Sequence, residues 1–261
     1  MDFGYSVAGF FVGAIVGLTG VGGGSLMTPL LVLLFGINPA VAVGTDLLYA
    51  ALTKAGGSLV HGRNNTVVWR IVVLLGAGSV PAAALTLWWL SIHSGSTYGG
   101  KSLISGTLGV ALLLTACALL FRARLQAWAE RPGISAFRER HLSSLTIVTG
   151  AILGVLVTIS SVGAGALGSA ALIFLYPRLS AVRIVGSDIA HAVPLTLVAG
   201  LGHWWLGNVD WTLLLALLIG SLPGIALGSH AAARIPERVL RPMLATMLIF
   251  VGGKLSLNLL G

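Results

Sequence analysis

The chain has 261 residues, of which only 8% are charged and 56% hydrophobic, and its mean hydropathy is +0.99. Soluble domains carry about 25% charged residues, so a soluble fold is excluded. The net charge of +8 does not call for a nucleic-acid partner, because the basic residues fall in a few short segments between apolar stretches, where charge reports membrane topology.

The first apolar stretch covers 5–35 and is interrupted by Gly20-Val21-Gly22-Gly23-Gly24-Ser25. No Lys or Arg precedes it and no small-residue cleavage site ends it, so it does not read as a signal peptide. As one helix it would run about 50 Å, well beyond a hydrocarbon core of about 30 Å. Helices follow at 40–60, 67–91 and 101–121, each near the roughly 20 residues that one span requires. Cys117 lies in the last of these. A lone cysteine excludes an intrachain disulfide and a Cys-based metal site, and it reads as a buried structural thiol. The polar segment 122–141 carries Arg122, Arg124, Arg131, Arg138 and Arg140. A second long apolar stretch, 143–176, is broken by Val162-Gly163-Ala164-Gly165, and helices follow at 181–206, 211–233 and 238–260. The stretches are apolar on most sides, as bilayer helices are, and the short alternating strands of a membrane β-barrel are missing.

The second half restates the first. Gly44-Thr45-Asp46 recurs as Gly186-Ser187-Asp188, His61 as His203, Trp69 as Trp211 and Gly78-Ser79-x-Pro81 as Gly220-Ser221-x-Pro223, all at an offset of 142 residues; before Gly44 the offset is 141. The chain is therefore two copies, 1–121 and 142–261, joined by the linker 122–141. If each long first stretch folds back as a re-entrant hairpin, each copy has three true spans and the copies are inverted. The linker, Arg63, Arg70, Arg178, Arg183, Arg234, Arg238 and Arg241 then share the cytoplasmic side, which accounts for 12 of the 15 Lys and Arg residues. The expected fold is an all-α membrane protein of two inverted repeats, each a glycine-broken hairpin plus three transmembrane helices. Trp88, Trp89, Trp204, Trp205 and Trp211 would mark the outer interface and Trp69 the inner one.

Paired broken helices point to a transporter's binding site. A helix start presents unpaired N–H groups and partial positive charge, which suits an anion. Thr19, Gly22, Gly23, Gly24 and Ser25 in the first copy, with Ser160, Ser161, Gly163 and Gly165 in the second, are the candidate substrate-binding residues, two tips meeting near the midplane. Gly9, Gly13 and Gly17 are four apart and read instead as a helix-packing stripe. Lys54, deep in an apolar helix, either binds the anion, pairs with a carboxylate or snorkels to the interface; Thr196 takes its place in the second copy. Asp46 and Asp188 read equally as helix caps or as intramembrane proton or coupling carboxylates, and His191, one turn after Asp188, is within its hydrogen-bonding reach. His61 and His203 read as structural interfacial histidines. No helical His pair suits a metal, no nucleophile elbow surrounds Ser187, Asp188 and His191, and neither a cofactor nor an enzymatic site is expected.

The segments GLTGVGGGSLMTPLL and AVGTDLL, then SSVGAGALGSAAL, GSDIAHAVPL and GSLPGIALGS, resemble the sulfite exporter TauE/SafE family over about Gly9 to Lys254. The resemblance implies an integral inner-membrane transporter whose partners are the lipid bilayer and a small anionic substrate such as sulfite or an organosulfonate. It leaves open a proton-coupled importer using Asp46 and Asp188.

Overall fold

Backbone amides at bilayer depth find no water, so an apolar chain satisfies them within its own segments, as helices. The computed structural model describes residues 3–19, 24–93, 99–232, 245–246 and 248–254, and every regular element among them is an α-helix. In chain order these are α1 (Phe3–Thr19), α2 (Gly24–Leu34), α3 (Pro39–Arg63), α4 (Trp69–His93), α5 (Gly99–Leu120), α6 (Arg122–Ala129), α7 (Pro132–Ser160), α8 (Ala166–Leu175), α9 (Ala181–Trp205) and α10 (Trp211–Ala232). Of the helix expected at 238–260, residues 245–246 and 248–254 are helical and the others lie outside the described residues. Trp69–His93, Gly133–Ser160, Ala181–Trp205 and Trp211–Gly228 are long and apolar enough to cross a membrane.

The duplication is built into the packing. The main contacts are α1 with α10, α4 with α7, and α3 with α9. Because α1 corresponds to α7 and α4 to α10, the first two are the same contact made twice, each time between copies. Glycines at matching positions set the distance. A Cβ on Gly78 would collide with the carbonyl of Ile147, and one on its counterpart Gly220 with the carbonyl of Ser6. Gly9 and Gly13 lie against Leu217 and Ser221, as Gly150 and Gly154 lie against Leu75 and Ser79. The stripe at Gly9 and Gly13 is thus a packing stripe. In the α3–α9 pair, Gly44 meets His203 and Asn208, Gly200 meets Leu48, and Gly186 meets His61 and Thr66. Contacts that run backward along one helix as they run forward along the other make this pair antiparallel.

Each broken stretch returns toward its start. The Phe35 ring, just past α2, lies 5.0 Å from that of Tyr5 in α1. At the matching place Tyr176, just past α8, hydrogen-bonds Thr146 of α7 at 2.8 Å. The first limbs end at matching positions, α1 at Thr19 and α7 at Ser160, and the 29 residues of α7 include linker residues 132–141. α7 reaches far enough for the Thr158 carbonyl to accept from His203 Nε2, near the end of α9, at 2.9 Å. All six of the tryptophans assigned to interfaces are exposed at helix ends.

One expectation, at Cys117, is corrected, and the linker takes on regular structure. The linker 122–141 is helical, forming α6 and the opening of α7 up to a kink at His141 (φ −115°, ψ 18°). Pro132 starts α7, where a missing N–H costs nothing. Arg138 there is buried and donates to the carbonyls of Ala129 (2.6 Å) and Phe174 (3.4 Å), at the ends of α6 and α8; helix C-termini leave such carbonyls unpaired. Cys117 is exposed rather than buried. A small apolar thiol on a membrane helix loses nothing by facing lipid.

Candidate functional site

The site is assembled by the repeated Gly-Thr/Ser-Asp motif. Its residues lie within α3 and α9, more than a turn beyond the starts at Pro39 and Ala181, so they do not cap their own helices. They cap those of the other copy. Gly44 lets the Asn208 carbonyl approach closely, and Thr45 Oγ1 then accepts from the Asp210 N–H at 3.0 Å, just before α10. Gly186 plays the same part against Thr66, and Ser187 Oγ accepts from the Val68 N–H at 2.9 Å, just before α4.

With its neighbours fixed in this way, the aspartate of each motif enters the core. Asp46 is fully buried. Its Oδ2 accepts from Thr28 Oγ1 of α2 at 2.5 Å and from Ser161 Oγ of the second break at 3.0 Å, while Oδ1 has no partner. Asp188 is equally buried, and its Oδ1, also unpartnered, lies where a Cβ on Gly168 would sit, in the first turn of α8. Asp188 therefore occupies the opening of α8, where the partial positive charge of a helix start favours it, whereas Asp46 meets α2 one turn past its start.

Lys54 lies two turns along α3 from Asp46 and is buried. Its ammonium donates to the carbonyl of Ala164, in the second break, and lies within electrostatic reach of Asp188 and Asp46. The snorkelling reading fails, because the side chain ends in the core. Its counterpart Thr196 bonds back to Ala192 of its own helix at 2.8 Å. The second break is thus tied to α3 twice, through Asp46 with Ser161 and through Lys54 with Ala164.

The break needs these ties. Ser161, in the place of Gly20, adopts φ 57°, a left-handed conformation that costs a side-chain-bearing residue about 1–2 kcal/mol. Gly163 (φ 116°) and Gly165 (φ 150°) take angles that suit glycine alone. The Gly163 carbonyl accepts from the N–H groups of Gly165 (2.8 Å) and Gly168 (3.1 Å). Ser160 donates to Leu156 O (2.6 Å) and accepts from Val162 N–H (3.2 Å), so its hydroxyl holds the break itself, whereas Ser161 turns to Asp46. In the first copy, Gly22 and Gly23 lie outside the described residues. Thr19 ends α1 and Gly24 and Ser25 open α2, but the side chains of Thr19 and Ser25 are outside the description too.

His191 does not bond Asp188. Its Nε2 pairs with Ser79 Oγ of α4 at 2.8 Å, and its Nδ1 has no partner. The repeat mate of His191 is Tyr49, whose hydroxyl lies beside Ser221, the mate of Ser79. His61 bonds Thr66 at 2.8 Å, which with the His203 bond leaves both histidines in structural roles. Sequence reasoning assigned nothing to Ser79, Gly168 or the Ala164 carbonyl. The repeat of Gly-Ser-x-Pro was the one signal that pointed at Ser79.

Interrupted apolar helices closing over buried charge define the class of protein, a membrane transporter. The family model described as Sulfite exporter TauE/SafE matches residues 5–255, and the chain belongs to that family. Its similar proteins include members from Bacillus subtilis (strain 168). One, described as the probable membrane transporter protein YjnA, is 39% identical over 247 residues, covering 95% of this chain and 96% of that one. Another, described as the probable membrane transporter protein YdhB, is 29% identical, covering 89% and 91%. A probable membrane transporter protein of Xylella fastidiosa (strain Temecula1 / ATCC 700964) is 30% identical, covering 87% and 84%. No solved structure matches the chain.

Proposed function

We propose that this chain exports a small sulfur-containing anion, sulfite or an organosulfonate, across the bacterial inner membrane by alternating exposure of a site between its two interrupted segments. The observation that carries this reading is the Lys54 ammonium held on the Ala164 carbonyl inside a helix break. A neutral carbonyl is a weak partner for a buried cation, and an oxyanion entering the break competes for it with a stronger charge-assisted bond. Ser161, Gly163 and Gly165 line that break, with Ser160 shaping it. Thr19, Gly22, Gly23, Gly24 and Ser25 supply the opposing tip. The antiparallel α3–α9 pair, the exchanged α1–α10 and α4–α7 contacts, and the closure of Phe35 on Tyr5 and Tyr176 on Thr146 support inverted repeats with re-entrant hairpins. The linker side is cytoplasmic in this reading, with Arg70, Arg140 and Tyr176 gathered around one cavity at that end. An anion leaving a negative interior gains about 2.3 kcal/mol per charge per 100 mV, so export requires no coupling ion. Sulfite flux from proteoliposomes is expected to rise with an imposed voltage, and flux indifferent to voltage rules out electrogenic export.

A second reading is proton-coupled uptake, favoured by the placement of Asp46 and Asp188. Two carboxylates against one ammonium leave the core net negative, and one unit charge repels another by roughly 3 kcal/mol at 6 Å with an effective dielectric near 20. Protonating both carboxylates leaves Lys54 as the net charge. Proton and anion binding then reinforce each other, as linkage requires. Uptake that collapses when a protonophore dissipates the proton gradient supports this reading, and uptake that persists removes it.

A further inference from the structure

A cavity of about 390 Å³ lies away from the buried cluster, between the start of α4, the kink of α7 and the chain just after α8. Arg70 and Arg140 line it, with the hydroxyl groups of Ser143 and Ser144 in the turn after the kink. Glu139 is the carboxylate on its wall, and that charge is answered by Arg178 at 3.4 Å and Arg138 at 4.0 Å. The Tyr176 hydroxyl is occupied by Thr146. The lining therefore offers two uncommitted positive charges and two short hydroxyl donors.

The duplication supplies a second, independent argument. At the matching corner of the other copy, Asp210 stands before α10, and its Oδ1 accepts from the N–H groups of Thr212 (2.9 Å) and Leu213 (3.0 Å). The start of α10 thus has its own carboxylate. The residue equivalent to Asp210 is Val68, which has no side-chain acceptor, and Thr212 is replaced by Arg70. One corner holds a carboxylate at a helix start. The other holds an apolar side chain, two arginines and an open cavity.

We infer that this cavity binds a small, doubly charged oxyanion, which fills at α4 the place that the Asp210 carboxylate fills at α10. The site is separate from Lys54 and the helix breaks and does not rest on the transport reading. Its volume accommodates a tetrahedral oxyanion with part of its hydration shell, at the lower end of small-ligand sites.

The test is sulfate binding to the intact protein in neutral detergent, measured by titration calorimetry. Saturable binding is expected, weakened about ten-fold by Arg70→Gln and by Arg140→Gln, since each removes a charge-assisted bond. Val68→Asp, which installs the other copy's carboxylate, is expected to abolish binding. Size-exclusion profile and thermal unfolding establish that each variant is folded. Wild-type affinity in both folded arginine variants overturns the inference. Phosphate of a lipid headgroup shares this chemistry, so retained phosphatidylglycerol is measured in parallel by native mass spectrometry. Lipid lost on Arg140→Gln, with no sulfate bound by the wild type, assigns the cavity to the headgroup and overturns the soluble-anion site.

Discussion

The Lys54 ammonium of α3 ends on the carbonyl of Ala164, so a side chain of the first copy completes the interrupted backbone of the second. The same helix sends Asp46 to Ser161, three residues earlier in that break. The first-copy helix and the second-copy break therefore move together or part together.

Replacing Lys54 tests both its charge and its asymmetry. Lys54→Thr copies the residue found at Thr196 and removes an ammonium near two buried carboxylates. Deleting one member of a buried charge cluster costs about 3–5 kcal/mol, so a lower unfolding temperature is expected together with a loss of sulfite flux of at least about ten-fold. Flux equal to wild type in a folded K54T protein takes Lys54 out of the transport path.

Asp46→Asn keeps the shape of the side chain and one acceptor for Thr28 or Ser161, but fixes its charge at zero. If Asp46 carries a coupling proton, the variant folds, still binds anion, and transports at a rate that no longer follows an imposed pH gradient. Flux measured with and without the gradient decides the matter. A gradient response identical to wild type assigns Asp46 to holding the break alone.

The exchanged helix pairs predict matched effects from matched glycines. Gly78→Val and Gly220→Val each drive a side chain into a carbonyl of the opposite copy, and overpacking typically costs 1–3 kcal/mol or more. Both should lower yield and unfolding temperature by similar amounts. Gly76→Ala, where an added Cβ meets nothing, should be neutral or slightly stabilising through helix propensity. A large drop in only one of the valine variants contradicts equivalent packing.

Inverted topology is checked by cysteine labelling in a Cys117→Ser background. Asn64→Cys, after α3, and Thr212→Cys, at the start of α10, lie at opposite ends of the antiparallel pair. In intact cells a membrane-impermeant maleimide should label only the position-212 variant, with position 64 reacting after permeabilisation. Labelling of both from the same side refutes the arrangement.

How far the sequence could be read depended on whether a residue's partner was local. The duplication, the helices and the two breaks are legible because apolar runs, glycines and a constant offset are properties of the chain in order. The capping chemistry of Thr45 and Ser187 is legible in kind, since a hydroxyl near a helix start seeks an N–H. The structure shows that those N–H groups belong to Asp210 and Val68, in the other copy. His191 illustrates the same limit. Its nearest polar neighbour in sequence is Asp188, yet its bond goes to Ser79 on a helix from the other half.

The sequence by itself determined that the protein lies in a membrane, that it is two copies of one pattern, and that each copy interrupts a helix with glycine; composition and periodicity require no knowledge of what touches what. Only the tertiary structure decided where the charges end: Asp46 on Thr28 and Ser161, Asp188 against Gly168, Lys54 on Ala164. The physical reason is that a buried charge takes whichever partner the packing of helices brings within about 3 Å. Here the packing is set by glycines that let backbones from opposite copies meet.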